Sequence, residues 1–293
     1  MPPKKKAALV LSGGGALGAY QMAAERAVRK KYNLEYVSIS GVSVGALNGA
    51  LLAMNEPDTL WDLWQGLKRR DITRWPAIWD YVLLALGVRK GFASNQPLAR
   101  LIAKHDISPE KFEVPFCFGT VNLTSGAYKL HGAEDFTADK LLASSSMPVM
   151  WPPVNGHYVD GGLRNMTPIG DALKASSERP DLVVVINCQQ KELPATARPK
   201  HIISIAKRTV QIVFDEILQA DMSTFKTLNH VLAQSSGPVF HPSGRELRAY
   251  DYISISPQAD IGTPLDFSQE AIRRRTAIGF RDGNAAEIVS PVA

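Results

Sequence analysis

Apolar residues follow two spacings along this chain, and the places where one gives way to the other mark the turns. Residues 6–11 form a short aliphatic run that ends in a glycine cluster, which predicts a buried strand. Residues 16–31 place Leu17, Tyr20, Ala24, Ala27 and Val28 at helical spacing, with basic residues at the C-terminal end where the helix dipole favours them. Residues 36–40 again predict a strand, 41–45 a tight turn, and 44–54 a second helix rich in Ala and Leu. The chain thus opens with strand, glycine turn and helix, twice over. That alternation implies a parallel sheet flanked by helices.

The pattern is less regular beyond. Residues 57–91 keep a helical period but hold Trp61, Trp64, Trp75 and Trp79, and with Tyr81, Val82, Leu83, Leu84 and Leu86 they are open to two readings: core helices, or a lid or membrane-facing surface. Residues 114–122 and 127–130 predict strands joined as a hairpin across Thr124-Ser125-Gly126. Residues 139–146 predict a short helix stopped by Met147-Pro148. Residues 182–187 predict a buried strand. Apolar positions at 203, 206, 210, 213, 214, 217, 218, 222, 225, 228 and 232 predict one long amphipathic helix. Residues 252–255 predict a last strand, and Asp266 with Gln269 resembles a capping box that opens a final helix through Ile278. No repeat, low-complexity tract or linker interrupts the chain, which predicts a single domain over residues 1–293.

Composition narrows the class. Apolar residues at 45% and charged residues at 21% exclude a disordered chain. Two cysteines, Cys117 and Cys188, exclude a disulfide scaffold, and each lies in an apolar run that predicts a buried, reduced thiol. No stretch approaches the roughly 18 apolar residues of a transmembrane helix. Lys4, Lys5 and Lys6 precede an apolar run over 7–11, shorter than the roughly 7–15 residues of a signal-peptide core, so either a cytoplasmic start or a chain lacking its export signal is expected. The net charge of +5 is compatible with an anionic membrane surface or nucleic acid and argues for neither. Zinc spacing, a basic stripe and a recognition-helix pattern are lacking, so no nucleic-acid partner is expected. No two histidines stand at i,i+2 or i,i+4, so no metal is expected either.

Three motifs carry candidate chemistry. Ser12-Gly13-Gly14-Gly15-Ala16-Leu17-Gly18 lies between a strand and a helix, where glycines let the backbone turn sharply and aim N–H groups at an anion, whether a phosphate or the oxyanion of acyl transfer. Gly41-Val42-Ser43-Val44-Gly45 fits G-x-S-x-G, again between strand and helix, which would stand the Ser43 hydroxyl on a strained turn with the Val44 N–H facing the same space. Asp160-Gly161-Gly162 is a turn whose carboxylate could take the serine proton, directly or through a histidine. Each of the three also has a plainer reading as a packing turn.

In combination, these motifs resemble the patatin-like phospholipase family over roughly residues 7–163. The segment Leu265-Asp266-Phe267-Ser268, leading into the final helix, also looks familiar for bacterial members. The resemblance implies a three-layer α/β/α fold with a mainly parallel central sheet. It implies Ser43 as nucleophile, Asp160 as its partner in a Ser–Asp dyad, and Gly13, Gly14, Gly15 and Gly18, with Val44, as the oxyanion loop. It also implies acyl-lipid or small ester substrates, with no cofactor, and makes peripheral membrane contact an expectation. The family's loop often carries Arg or Lys where this chain has Leu17, so any charge at that position is absent.

Three other readings fit the sequence less well. A dinucleotide site would use Gly13, Gly15 and Gly18 but needs an acid at the end of the second strand; that strand ends Ser38-Ile39-Ser40, and Glu35 precedes it. An α/β-hydrolase triad needs a histidine after the aspartate. His201 opens a strand-like segment, His230 falls inside the long helix, and His241 lies in a loop and is the best candidate; His157 precedes Asp160. That fold also places several strands before its serine, whereas Ser43 follows the second. A silent lipid-binding scaffold would have no reason to keep all three motifs.

Overall fold

The computed structural model describes residues 3–291 except 78, 79, 81, 82, 84, 85, 177, 194 and 197, with only the backbone of 203. Trp79, Tyr81, Val82 and Leu84 therefore lie outside the described residues. The two opening units are β1 (Lys5–Leu11), α1 (Gly18–Tyr32), β2 (Leu34–Gly41) and α2 (Val44–Ala53). A 3-10 turn, Gly15–Leu17, precedes α1. Then follow α3 (Pro57–Gly66), the single turn α4 (Arg69–Ile72), α5 (Gln96–Lys104), β3 (Phe116–Asn122), β4 (Tyr128–His131) and α6 (Ala138–Ser144). The chain ends with β5 (Tyr158–Asp160), α7 (Ile169–Ala175), β6 (Leu182–Ile186), α8 (Ile202–Gln234), the small hairpin β7 (Val239–Phe240) and β8 (Glu246–Leu247), β9 (Asp251–Ile255) and α9 (Gln269–Ala285).

The main sheet runs β4-β3-β2-β1-β6-β9, with β5 added on β3. β1 pairs in parallel with β2 and β6, β2 with β3, and β6 with β9; β4 and β5 run antiparallel to β3. The fold is three-layered α/β/α with a mainly parallel sheet. Alternate strand residues enter two cores: Ala7, Leu9, Leu11, Leu182, Val184 and Ile186 pack under α1, α2, α3 and α9, while Ala8, Val10, Val183 and Val185 pack under α7 and α8. Burial on both faces is why the parallel strands are continuous aliphatic runs rather than alternating ones.

α9 lies tightly on α1. A Cβ at Gly279 would come within 2.3 Å of Tyr20 O, and one at Gly283 within 2.6 Å of Ala24 O, so the two backbones touch where no side chain fits. α9 is longer than the sequence predicts and opens two residues later than the expected box. Ser268 is the N-cap, accepting the Ala271 N–H, while Asp266 accepts the Ser268 N–H just before it. His201, expected to open a strand-like segment, instead caps α8, accepting the Ser204 N–H. In the Trp-rich segment, Trp64 is in the core, Trp61 packs half-buried on Phe280, and Trp75 stands against Phe92.

Candidate active site

β2 ends at Gly41, and the chain reverses into α2 through Val42 and Ser43. Ser43 takes φ 57° and ψ −128°, a region non-glycine residues avoid at a cost of about 1–3 kcal/mol. The turn is held by the Gly45 N–H to Val42 O (2.9 Å) and the Ala46 N–H to Ser43 O (3.0 Å). Both glycines of the motif answer crowding: a Cβ at 41 would lie 2.3 Å from Gly45 O, and one at 45 only 2.2 Å from Leu11 O. The elbow is thus pressed onto the end of β1, with the Ser43 side chain at the C-terminal edge of the sheet.

The sheet delivers Asp160 to that edge. Gly41 pairs with Phe118, so residue 43 of an uninterrupted β2 would pair with Thr120. β2 has turned away by then, and the residue that pairs with Thr120 is Asp160. Asp160 occupies the sheet position that Ser43 vacates. Its Oδ1 accepts the Gly162 N–H at 2.8 Å, while Oδ2 is buried with no hydrogen-bond partner among the described residues. Burial pushes the carboxyl pKa up to about 7, against the lowering pull of the Gly162 N–H and then of the Ser43 hydroxyl. The hydroxyl is near enough to draw the carboxyl down, although no hydrogen bond of ordinary geometry joins it to Oδ2.

The glycine loop leaves the C-terminal end of β1, beside the elbow. A Cβ at Gly13 would sit 3.3 Å from Ser43 Cβ and 2.8 Å from Met166 Sδ; one at Gly14 would strike Cys188 at 2.4 Å. Gly15, at φ +56°, presses against Pro264 O. The N–H groups of Gly13, Gly14, Gly15 and Val44 find no acceptor among the described residues. Gly18 departs from the expectation: its N–H donates to Gly15 O, and a Cβ there would meet Val44 at 2.4 Å and Trp64 at 2.7 Å, so it serves packing rather than an open donor site. Cys188 under the loop is buried and free, its thiol pushed up to about 12 by burial; Cys117 is also buried and free.

Several supporting residues carry no motif. Ser144 Oγ accepts the Ser43 N–H (3.2 Å), Ser145 Oγ donates to Ser43 O (3.2 Å), and Ser146 O accepts the Asp160 N–H (3.1 Å). One run of three serines at the end of α6 therefore grips the backbones of both candidates. In the sequence it looked like a helix end, and only its triple hydroxyl marks it. Behind the loop, Gln21 Nε2 donates to Ser12 O and Ile186 O, Asn48 Nδ2 donates to Gln21 Oε1 and Gly18 O, and Trp64 Nε1 donates to Asn48 Oδ1. Arg275, fully buried, donates to the carbonyls of Ala16, Ile261, Thr263 and Asp266 and so fixes the segment on which Gly15 rests. Its spacing from Ile272 and Gly279 on the buried face of α9 was the available signal.

An apolar pocket opens on Ser43 and runs along one face of α2, past Val44, Leu47 and Leu51, to side chains of α3 and α5. No histidine hydrogen-bonds Ser43 or Asp160 among the described residues. His241 bonds Ser243, His230 bonds Gln234, His157 lies on the Tyr158 ring, and buried His131 joins Thr120 and Asp135. The patatin-like phospholipase model matches residues 9–173. The chain belongs to the patatin-like phospholipase family. This family is one of lipid acyl hydrolases, and Gly13–Gly15, Ser43 and Asp160 all fall within the matched segment of the patatin-like chain. Among solved structures, VipD from Legionella pneumophila is similar at 15% identity and a TM-score of 0.41, over 98% of this chain and 68% of that chain. No curated protein matches the chain. No group of three or more metal-binding side chains occurs among the described residues.

Proposed function

We propose that this patatin-like chain, acting as one domain over residues 1–293, hydrolyses carboxylic esters of acyl lipids through a Ser43–Asp160 dyad. The observation that carries the reading is the unpartnered, buried Oδ2 of Asp160 beside the strained Ser43 elbow. Ser43 Oγ attacks the ester carbonyl as its proton passes to Asp160. The oxyanion that forms is met by the free N–H groups of Gly13–Gly15 and Val44. The leaving alcohol takes the proton from Asp160, and water then cleaves the acyl-enzyme with Asp160 again as base. The apolar pocket beside Ser43 supports an acyl chain as the part of the substrate it holds. Peripheral contact with a lipid surface belongs to the same reading. It is supported by Ile202, Ile205, Val210, Ile212 and Val213, exposed on the N-terminal half of α8 near Lys200 and Lys207. No helix among the described residues is long and apolar enough to cross a membrane.

A serine-reactive fluorophosphonate, followed by mass mapping, tests the dyad. Label is expected on the peptide that contains Ser43 and nowhere in Ser43→Ala, which should also lose p-nitrophenyl ester turnover by several orders of magnitude. Substantial turnover by the folded variant would overturn the assignment.

A further inference from the structure

The polar groups that line the pocket are nearly all committed. Asn48 spends its amide on Gly18 O, Gln21 and the Trp64 indole N–H; Trp151 donates to Thr73 Oγ1; Ser145 donates to Ser43 O. Among the described lining residues, Ser43 Oγ and the ring nitrogens of His105 carry no side-chain hydrogen bond, and of the two imidazole nitrogens Nε2 is the one that is buried and unpartnered.

Ser43 and His105 mark opposite ends of the pocket. α2 leaves Ser43 and runs to the turn at Glu56, whose charge is felt by His105. α5 begins at Asn95, tied to Ser146 beside Asp160, and ends at His105. Each helix spans about 14 Å at 1.5 Å per residue, so two independent elements set His105 at the far end from Ser43. Leucine and isoleucine side chains line the pocket between the two ends.

We propose that the pocket takes an acyl chain bearing a neutral oxygen, a hydroxyl or keto group, remote from its ester, with His105 Nε2 as the second recognition point. This rests on the reading of the pocket as the acyl site. The tautomer of a neutral imidazole sets whether Nε2 donates or accepts, so both oxygens suit it. Burial and the neighbouring Lys104 hold the imidazole below its ordinary pKa, which favours a neutral partner over a carboxylate at that end. An unsubstituted chain would leave Nε2 buried and unsatisfied, an arrangement that discriminates against analogues lacking the group.

The test is fluorescence titration of the purified chain, using Trp64 and Trp151 in the pocket wall, with lauric, ω-hydroxylauric and β-hydroxylauric acids. It is run below the Asp160 pKa of about 7, so that the carboxyl does not repel the ligand. The ω-hydroxy acid is expected to bind about tenfold more tightly than lauric acid, while the β-hydroxy acid, with its oxygen near the carboxyl, gains nothing. His105→Phe should erase the preference and His105→Gln keep part of it. Equal binding of the three acids by the wild-type protein, no binding of any, or a preference that survives His105→Phe overturns the proposal. Binding needs no turnover, so these outcomes are separate from the labelling of Ser43, which tests the dyad alone.

Discussion

α2, apolar on every side, and α8, amphipathic, both lie on the main sheet, and they are held in opposite ways. Every residue of α2 is buried except half-buried Leu47, and its first residue is clamped by the elbow, the serine run and the end of β1. α8 is more than three times as long, yet among its described side chains only Phe214, Leu218, Met222 and Asn229 are buried, and Ile202 is 76% exposed. α8 reaches the candidate site through the Asp221 carboxylate and through Phe214, Leu218 and Met222, which share a core cluster with Met166. Asp221 accepts the N–H groups of Met166 and Thr167 at 2.9 Å each, and Met166 fills the space between Gly13 and Gly162. The helix that Ser43 caps has no freedom to drift, whereas the long helix is exposed along most of its length.

The contrast can be broken at four points. The largest effect is expected at Asp160. Asp160→Asn keeps the shape and the Gly162 contact but removes the base, so turnover should fall nearly as far as in Ser43→Ala. The same change should raise thermal stability. The folded carboxyl titrates at about 7, against roughly 3.9 unfolded, so the folded state holds the proton more tightly and stability drains away as pH climbs from about 4 through 7. Above pH 7, removing that buried charge should stabilise by up to roughly 4 kcal/mol, read from melting curves of the two proteins. Wild-type turnover should rise through about pH 7 as the base ionises, and a flat profile there would sink the dyad.

Next in size is Gly15→Ala, which places a Cβ at φ +56° against Pro264 O. With one oxyanion donor displaced, turnover should drop by about 10²–10³ with KM little changed. Near-normal turnover would make the loop a packing turn only. Asp221→Ala should then lower kcat by about tenfold and stability by about 1–3 kcal/mol, because two buried N–H groups lose their acceptor. Asp221→Asn, which keeps an acceptor oxygen, should restore most of both; failure of that rescue would deny α8 this polar link to the site. The smallest effect belongs to the free face. Val210→Ser with Val213→Ser should leave stability within about 0.5 kcal/mol and turnover of a soluble ester unchanged, while reducing sedimentation with anionic phospholipid vesicles. Unchanged sedimentation would remove α8 from the lipid surface.

Much of the fold was legible because its strands are short aliphatic runs that end in glycine turns. The first two strand–helix units, the hairpin of β3 and β4, and the lone run of β6 need no tertiary knowledge to be recognised. The start of α9 differs from the sequence reading because Asp266 and Ser268 both offer oxygens to the backbone: Asp266 accepts the Ser268 N–H, and Ser268 accepts the Ala271 N–H and caps the helix. At the site, the Ser43 elbow was readable from its glycines, since backbone crowding leaves no other residue there. The partners were not readable. Ser144, Ser145 and Ser146, Asn48, Gln21 and Arg275 make their site-forming bonds to atoms as far as 259 residues away, and no local pattern records such distances. Gly18 shows the converse: a glycine that fits the motif yet is required by Val44 and Trp64 rather than by chemistry.

That Asp160 fills the place vacated by β2 makes the chemistry a matter of counting residues. Strand side chains alternate between faces, so one residue inserted within β5 would turn the carboxylate from the face of α2 to that of α7, with every ladder hydrogen bond still available. The connection from 147 to 157 can change length without touching that parity. A single-residue insertion within Tyr158–Asp160 is therefore expected to abolish ester turnover in a protein that still folds, whereas one in the 147–157 connection should be tolerated. The approach of Asp160 to Ser43 is thus set by strand frame rather than by loop shape.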